Sequence, residues 1–293
     1  DRMRSLAVTA ANFENQRNAV REERRLGYDN QPYGRTYEAL LDTAYDNFAY
    51  KHSTIGSMAD LDAAPLGDVK AFYETYYAPN NAVLALVGDF HSADALGRIR
   101  SRFESIPSRP APAVPDMTEP AQQGERRRTL EDGFAQAPRI DVVWKIPPGN
   151  TPDWYALSVL GDILADNDSS RLYQALVKRT SLAVGVHGGA HERRGPSLFG
   201  LTLMTRPDTD LDAVEKAAYA EIARLVESPV EPWEIEKVRR QLRRQLSQQL
   251  QGTLHRAVLL AQNAVFYGDP LHVNTLEAKV AAMTPEDIRR VAR

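Results

Sequence analysis

The chain has 293 residues, of which 43% are hydrophobic, 26% charged and 8% aromatic, and its formal net charge at pH 7 is -3. This length is sufficient for two domains with a core each, and the nearly balanced charge gives no indication of nucleic acid or an anionic membrane as a partner. Cysteine is absent, which excludes disulfides, cysteine-based zinc sites and a cysteine nucleophile. No apolar run approaches the ~20 residues that a membrane-spanning helix requires.

Residues 1–106 contain several segments with helical spacing, separated by turns. The predicted helices are Ala11–Leu26, Tyr37–Tyr50, Asp60–Tyr77 and His91–Ile106, the last with Ser92 as its expected N-cap. Pro79-Asn80-Asn81 predicts a turn, and the apolar run Ala82–Val87 after it predicts a buried strand.

Residues 107–124 are rich in proline and small side chains and have neither a helical nor a strand period. This composition is typical of an extended linker. It divides the chain into a first block, residues 1–106, and a second block, residues 125–293.

The second block alternates strand and helix signals. The predicted strands are Arg139–Ile146, Leu182–Ala190 and Leu198–Thr205, and the predicted helices are Asp153–Leu164, Ser170–Lys178, Leu211–Val226 and Pro232–Gln251. The arginine clusters at 126–128, 239–240 and 243–244 have acidic residues nearby, so we interpret them as solvated faces. Both blocks mix helices with strands, which predicts an α+β fold with helices packed on one face of an antiparallel sheet in each block.

The two blocks also resemble each other in sequence. Leu61 lies seven residues before Asp68, Val280 lies seven residues before Asp287, and a long charged helix lies upstream of each pair. This order predicts two copies of one domain, with the second copy ending at Arg293 before its final strand.

The histidines give a weak metal signal. His187 and His191 are spaced as zinc ligands on a helix are spaced, and Glu192 follows them. The surrounding glycines and valines favour a strand, however, where that spacing covers ~13 Å, too far for both rings to reach one zinc ion at ~2.1 Å. We therefore expect two histidines on one face of a strand and isolated surface or capping histidines at the remaining positions, His52, His91, His255 and His272.

The segment ENQRNAVREERR, residues 14–25, raises a different question. On a helix, Gln16, Ala19, Val20 and Glu23 share one face, whereas Glu22 lies about 100° away around the axis. A carboxylate on an apolar face is unfavourable unless it is paired or bound to a metal. Two interpretations stay open from the pattern alone: Glu23 belongs to a site, or it lies at the solvated edge of the face.

The same segment, followed by YDNQPYG at 28–34, resembles the distal zinc-ligand helix of the pitrilysin-type (M16, inverzincin) metallopeptidases. Further segments agree with that family in order: Asp1-Arg2-Met3, Ile55-Gly56, Phe72–Asn81, Gly88-Asp89, Ser169–Tyr173 and Thr284–Ile288. The resemblance covers essentially the whole chain, and no single motif carries it.

The resemblance implies homologous α+β domains joined by a linker and a zinc ion bound by two histidines of an H-x-x-E-H motif, whose glutamate is the general base. It also implies that a glutamate on a later helix is the third ligand, at the position of Glu23 here. A family acid seven positions earlier corresponds to Gln16, so the negative charge that would support the ligands there is lost.

The H-x-x-E-H motif is absent from this chain. We therefore expect a fragment, with the histidine ligands and the general base upstream of Asp1. Catalytic zinc requires three protein ligands and a water, so one carboxylate should hold no zinc and the chain by itself should be inactive.

Many members of the family place an arginine and a tyrosine, seven residues apart, in the second domain to bind the substrate. Those positions are Val177 and Val184 here. The resemblance thus implies a zinc-bearing subunit in a homo- or heterodimer with a pitrilysin-like subunit that supplies the pair.

From this resemblance we expect the intact protein to be a zinc endopeptidase that cleaves peptides or small unfolded polypeptides, in the bacterial cell envelope or, alternatively, the cytoplasm. A non-catalytic structural or partner subunit is the second interpretation. A plain α+β interaction domain is the third.

Overall fold

A computed structural model of the chain describes residues 2–228 and 230–293. The helices before the proline-rich segment are α1 (Ala10–Arg24), α2 (Thr36–Ala44), α3 (Phe48–Lys51), α4 (Met58–Ala63), α5 (Leu66–Tyr76) and α6 (Ser92–Phe103). The later elements are β1 (Arg139–Ile146), α7 (Pro152–Leu164), β2 (Ala183–His191), β3 (Ser197–Thr205), α8 (Leu211–Glu227), α9 (Pro232–Gln249), α10 (Thr253–Tyr267), α11 (Leu276–Ala281) and α12 (Pro285–Val291). Two π-helical segments, Arg25–Asp29 and Tyr173–Arg179, and two 3-10 turns, Pro79–Asn81 and His272–Thr275, complete the described elements.

The strands form an antiparallel sheet in the order β1-β3-β2. Helix α7 packs closely on β2 at Gly161 and Gly189. A Cβ atom added to Gly161 would lie only 2.6 Å from the Cα atom of Gly189, so this approach requires a glycine. The fold is α+β, as the sequence predicts, and the predicted strands β1, β2 and β3 are confirmed within a residue or two at each end.

The chain divides into two compact units that do not follow the sequence in a single cut. The first unit contains the residues up to Gly34 together with Ser53–Asp116 and Gln249–Val273, and the second contains Arg35–His52, Met117–Gln248 and Asn274–Arg293. Helices α1, α4, α5, α6 and α10 therefore belong to the first unit, and the sheet to the second. The boundaries predicted at residues 106 and 125 stay a prediction.

The apolar core of the second unit lies between the sheet and helices α7, α8 and α9. Its completely buried members include Leu172, Leu176, Leu203, Val214 and Ile288. A smaller cluster in the same unit joins Leu41, Ala44, Tyr45 and Tyr50 to Leu198 of β3. The burial of these side chains supplies the main stabilising term for this unit.

The predicted helix Tyr37–Tyr50 is wrong in one respect, since it is interrupted between α2 and α3. Tyr45 adopts an extended backbone conformation, and the backbone N–H groups of Asp46 and Asn47 both donate to the Glu119 carboxylate at 2.9 Å. A carboxylate that lies far away in the sequence thus replaces the helical acceptors, and local periodicity contains no signal for it.

Glu119 connects this break to the sheet. Lys145 of β1 donates to the Glu119 carboxylate at 2.5 Å, and the Glu119 side chain is almost completely buried. Burial opposes ionisation, but the hydrogen bonds from Lys145 and from the amides of Asp46 and Asn47 hold the pKa of Glu119 below its usual value. Glu119 lies in the predicted linker and has a structural role in the second unit.

The predicted strand Ala82–Val87 is also wrong, because these residues form no strand. No strand occurs among the residues of the first unit that the structure describes. A strand needs a hydrogen-bonded neighbour, and Val83, Leu84 and Leu86 are exposed at the places where such a neighbour would cover them.

Smaller differences concern helix ends in the first unit. The predicted helix Asp60–Tyr77 is divided into α4 and α5 at Pro65, because proline disfavours a helical conformation in the residue before it. His91 is the N-cap of α6, so Ser92 is its first helical residue rather than its cap. Among the described residues, no helix has the length and apolar character that crossing a membrane requires.

Residues 107–123 contain neither helix nor strand, and specific contacts position their first part in the first unit. Asn80 and Arg109 exchange two hydrogen bonds between the Asn80 carboxamide and the Arg109 backbone, at 2.8 and 3.1 Å. The Arg109 guanidinium donates to the backbone carbonyls of Tyr73 and Glu74 at 3.0 and 2.8 Å. A cation at the C-terminal end of α5 also complements the helix dipole.

Candidate functional site

Helix α1 carries the residues that the sequence singles out. Thr9 caps its N-terminus by accepting a hydrogen bond from the Asn12 backbone N–H at 3.2 Å. At its C-terminal end the helix continues into the π-helical segment Arg25–Asp29, so the predicted helix Ala11–Leu26 is confirmed as a continuous helical segment.

One side of α1, which we call the arginine face, consists of Arg17, Arg21 and Arg24. Arg17 donates to the backbone carbonyl of Ala64 at the C-terminal end of α4, and Arg21 pairs with the Asp62 carboxylate. Two guanidinium groups thus attach α1 to α4, one by a hydrogen bond to a backbone carbonyl and the other by an ion pair with a carboxylate.

Arg24 is the most buried residue of the arginine face, with 7% of its surface exposed. It donates to the backbone carbonyl of Gly56 and lies 3.4 Å from the Asp29 carboxylate. These two oxygen contacts of the terminal guanidinium nitrogens offset part of the cost of burying the charge, while the buried Nε atom has no hydrogen-bond partner among the described residues. Arg24 thus fixes both the rotation of α1 and the start of the turn after it.

Glu23 lies on the opposite side of α1. Gln16, Ala19 and Glu23 are all exposed, and only Val20 of the predicted inward face is half-buried. Glu23 therefore lies at the solvated edge of this face, which is the second of the two interpretations that the pattern leaves open. The physical reason is that long arginine side chains, rather than small apolar ones, cover the surface on which α1 packs.

The adjacent acids Glu22 and Glu23 differ in their partners. Glu22 forms an ion pair with Arg25 one turn later, whereas no described side chain pairs with the Glu23 carboxylate. Within the described residues, no group of three or more histidine, aspartate, glutamate or cysteine side chains converges on a point. The residues present therefore do not fit a complete zinc site, and Glu23 would be one member of such a site.

A second feature lies on α9 in the second unit. One side of this helix, which we call the α9 face, lines an open groove of about 480 Å³. Its residues are Trp233, Glu236, Lys237, Arg240, Gln241 and Arg244. Trp233 is 58% exposed, so a large aromatic ring lies at one end of a predominantly cationic surface.

The other arginines of α9 have structural partners. Arg239 donates to the backbone carbonyl of Ala281 at 2.6 Å, and Arg243 contacts the Glu277 carboxylate at 2.6 and 2.8 Å. Arg240, Arg243 and Arg244 are exposed, as the interpretation of a solvated face predicts, whereas Arg239 is partly buried. An exposed tryptophan followed by cations at helical spacing, Trp233, Lys237, Arg240 and Arg244, was the available signal in the sequence.

The sequence predicts that α1 and α9 are corresponding helices of two copies of one domain. The helices α4 and α11 that follow them are both six residues long and end at Ala63 and Ala281. With these ends taken as equivalent, Arg21 corresponds to Arg239, and each of these arginines attaches its long helix to the short one.

Buried charges surround the N-terminal half of α9. Arg171 forms a two-point ion pair with the Glu234 carboxylate at 2.6 and 2.8 Å. Lys237 donates to the Ser169 hydroxyl at 3.1 Å. Burial first, and the neighbouring Asp166 second, raise the pKa of Asp162 to about 7, with Lys237 opposing the shift.

Comparison with known proteins identifies the family of this chain. The family model "Peptidase M16 inactive domain" matches residues 64–242, more than half of the chain. The chain belongs to the M16 peptidase family. The predicted resemblance to the pitrilysin-type peptidases is thereby confirmed.

Individual relatives agree with this family. The chain is 29% identical to the zinc protease PqqE of Helicobacter pylori over 239 residues, which cover 81% of this chain and 54% of that protein. It is 23% identical to cytochrome b-c1 complex subunit 1 of Saccharomyces cerevisiae over 292 residues, which cover 96% of this chain and 63% of that protein. The chain thus spans less than two thirds of the length of either relative.

A solved structure shows the same arrangement of elements. The crystal structure of a protease from Helicobacter pylori superposes with a TM-score of 0.92 at 27% identity, covering 99% of this chain and 70% of that one. The agreement extends over both compact units, so the M16 fold assigned to this chain includes the elements on each side of the proline-rich segment.

Other M16-like motifs of this chain have positions that the structure defines. Val177 lies in the π-helical segment and is partly buried against the core, and Val184 of β2 is 54% exposed. Neither side chain can donate a hydrogen bond to a substrate. Arg171, from the motif Ser169–Tyr173, has a structural role through Glu234, and Asp1 of the motif Asp1-Arg2-Met3 lies outside the described residues.

Proposed function

We propose that the complete protein is a zinc-dependent endopeptidase of peptides or small unfolded polypeptides, and that Glu23 supplies one of its zinc ligands. The M16 family membership of the chain and the zinc-protease name of its Helicobacter pylori relative support the reaction class. The role of Glu23 rests on the correspondence between residues 16–34 and the distal ligand helix of the family.

The observation that carries this proposal is the exposed position of the Glu23 carboxylate on a helix whose opposite face is held by buried arginine contacts. Arg17, Arg21 and Arg24 fix the rotation of α1, which defines the direction of the Cα–Cβ bond of Glu23. A metal ligand needs such support, because small errors in ligand position weaken coordination.

The described residues alone do not complete a zinc site, so we derive no reaction step from them. Two further ligands and the general base have to come from polypeptide other than the described residues. The part of the Helicobacter pylori relative that this chain does not cover, nearly half of its length, is the kind of sequence that could contain them.

The experiment compares peptide cleavage by the complete protein with that of Glu23→Gln and Glu22→Gln variants. We expect Glu23→Gln to lose cleavage by at least ~100-fold, because a catalytic zinc site with one ligand fewer does not retain its metal. Glu22→Gln, which removes only an exposed ion pair with Arg25, should keep its activity. Equal activity of all forms would reject the proposal.

A partner subunit follows from Val177 and Val184. Neither valine can bind a substrate carbonyl, so we propose that a second M16-like subunit supplies the arginine and tyrosine. Cleavage by the complete protein should rise when that subunit is added. If the protein alone cleaves as fast as the mixture, this part of the proposal is wrong.

The alternative is a non-catalytic structural or partner subunit of the same family. Gln16, Val177 and Val184 support it, since each replaces a group that the family uses with a neutral side chain. The relative named as a cytochrome b-c1 complex subunit supports it as well. A complete protein that binds no zinc under conditions in which it is folded would favour this alternative.

A further inference from the structure

The α9 face has more positive than negative charge. Lys237, Arg240 and Arg244 line the groove, with Glu236 as its acidic member. Glu236 pairs with Arg240 at 2.9 Å, and Lys237 is committed to Ser169. The side chain of Arg240 is nevertheless 76% exposed, so it can reach a second anion.

Arg244 completes the cationic end of the groove. Unlike Arg243, whose guanidinium is held by Glu277, Arg244 has no ion pair or hydrogen bond with another described side chain. The C-terminal half of the α9 face thus presents Arg240 and Arg244 one turn apart on the same side of the helix. This spacing suits carboxylates on successive parts of an extended ligand.

Gln241 indicates which class of ligand fits between these cations. Its carboxamide oxygen is buried and has no hydrogen-bond partner among the described residues. This oxygen is an acceptor, so its complement is a donor such as a peptide N–H, which a carboxylate ion by itself does not have. The exposed ring of Trp233 adds an apolar contact at the other end of the groove.

We infer that the α9 face binds an extended, acidic peptide segment, whose carboxylates pair with Arg240 and Arg244 while its backbone contacts Gln241 and a side chain packs on Trp233. This binding requires no metal and no cleavage. It is therefore separate from the proposed peptidase activity, and either can fail without the other.

The test measures binding of a labelled, glutamate-rich peptide to the chain by fluorescence anisotropy, in the presence of a chelator. The reference ligand is the same peptide with each glutamate replaced by glutamine. The variants are Arg240→Gln, Arg244→Gln and Trp233→Ala, and the matched control is Arg243→Gln, whose guanidinium is held by Glu277 away from the groove. All substitutions lie on the surface of α9, and circular dichroism verifies that each variant is folded.

We expect the glutamate peptide to bind and the glutamine peptide to bind at least ~10-fold more weakly, since the ion pairs are lost. Arg240→Gln and Arg244→Gln together should weaken binding about 5- to 10-fold, with affinity falling as salt is added. Arg243→Gln should leave it unchanged.

Several results would overturn the inference. Equal binding of the two peptides would show that charge does not matter, and unchanged binding by the Arg240 and Arg244 variants would place the peptide elsewhere. Displacement of the peptide by equimolar inorganic phosphate, or by vesicles of anionic lipid, would show a general anion site rather than a peptide site.

Discussion

The two compact units of this chain differ in the interactions that stabilise each of them internally. In the described part of the chain, both apolar clusters lie in the second unit, around the sheet and the segment 35–52. The first unit has no strand among its described residues and exposes large apolar side chains, among them Phe72, Leu84, Leu86, Leu96, Leu254 and Phe266. Its helix α1 is attached mainly through arginines.

The difference shows how a site helix can be positioned without a large core. Burial of apolar surface stabilises an element without specifying fine orientation, whereas hydrogen bonds from a guanidinium to defined oxygens restrict rotation. Arg17, Arg21 and Arg24 therefore orient α1, in which no apolar side chain is buried. The second unit contains both apolar clusters. The exposed face of its helix α9 is mainly cationic, whereas Glu23 on α1 is an anion.

The largest expected effect concerns the core of the second unit. Leu203 is completely buried in the central strand β3, so Leu203→Ala should lower the free energy of unfolding by roughly 2–5 kcal/mol through lost burial and a cavity. Urea unfolding followed by tryptophan fluorescence measures it, because Trp144 and Trp154 lie in this unit. A change below ~1 kcal/mol would contradict the assignment of the core to this region.

A smaller and local effect is expected in the first unit. Arg24→Met removes the hydrogen bond to Gly56 and the contact with Asp29, and should lower the opening free energy of α1 by about 1–3 kcal/mol. Amide hydrogen exchange measures this opening, and the tryptophan-detected unfolding of the second unit should not change.

Arg25→Met is the control for this variant. Arg25 pairs with Glu22 on an exposed surface, so its loss should alter exchange by at most ~0.5 kcal/mol. Equal effects of the two substitutions would show that the arginine face does not position α1.

The smallest expected effect depends on pH. The folded protein holds the pKa of Asp162 at about 7, above the ordinary aspartate value of 3.8. Between these values the unfolded chain releases the proton and the folded protein retains it, so stability falls as pH rises through this window.

Asp162→Asn cannot ionise, so it should stabilise the second unit at pH 8 by on the order of 1–2 kcal/mol and have little effect at pH 4. Urea unfolding at the two pH values measures the difference. Asp166→Asn, at an exposed position near Asp162, is the control and should change stability less. A gain that is the same at both pH values would reject titration of Asp162 as the cause.

The comparison of the units also shows what the sequence could predict. Hydrophobic periodicity predicted the strands β1, β2 and β3 and the helices α8 and α9. These elements lie in the second unit, where their apolar residues pack into the core. The break at Tyr45 could not be predicted, because it depends on the distant carboxylate of Glu119. The prediction of a strand at Ala82–Val87 was wrong because a hydrophobic pattern gives no information about whether a neighbouring strand is available for pairing.

The role of Glu23 stays a prediction from the family resemblance, whereas its exposed position is a finding of the structure. The helical spacing placed Glu23 on one face with Ala19 and Val20 and left open whether that face is buried there or solvated. In the structure the arginines cover the packing surface, and a hydrophobicity pattern ranks arginine as exposed. On α9 the sequence predicts a solvated cationic face, and Arg240 and Arg244 are indeed exposed.

The most direct test of this account is the zinc content of the complete protein and of its Glu23→Gln and Glu22→Gln variants after dialysis against a weak chelator. The account predicts one zinc per chain in the wild type and in Glu22→Gln, and a loss of at least ~10-fold in zinc affinity in Glu23→Gln, because a ligand is missing. Equal zinc retention by Glu23→Gln and the wild type would show that Glu23 is not a ligand and would contradict the account.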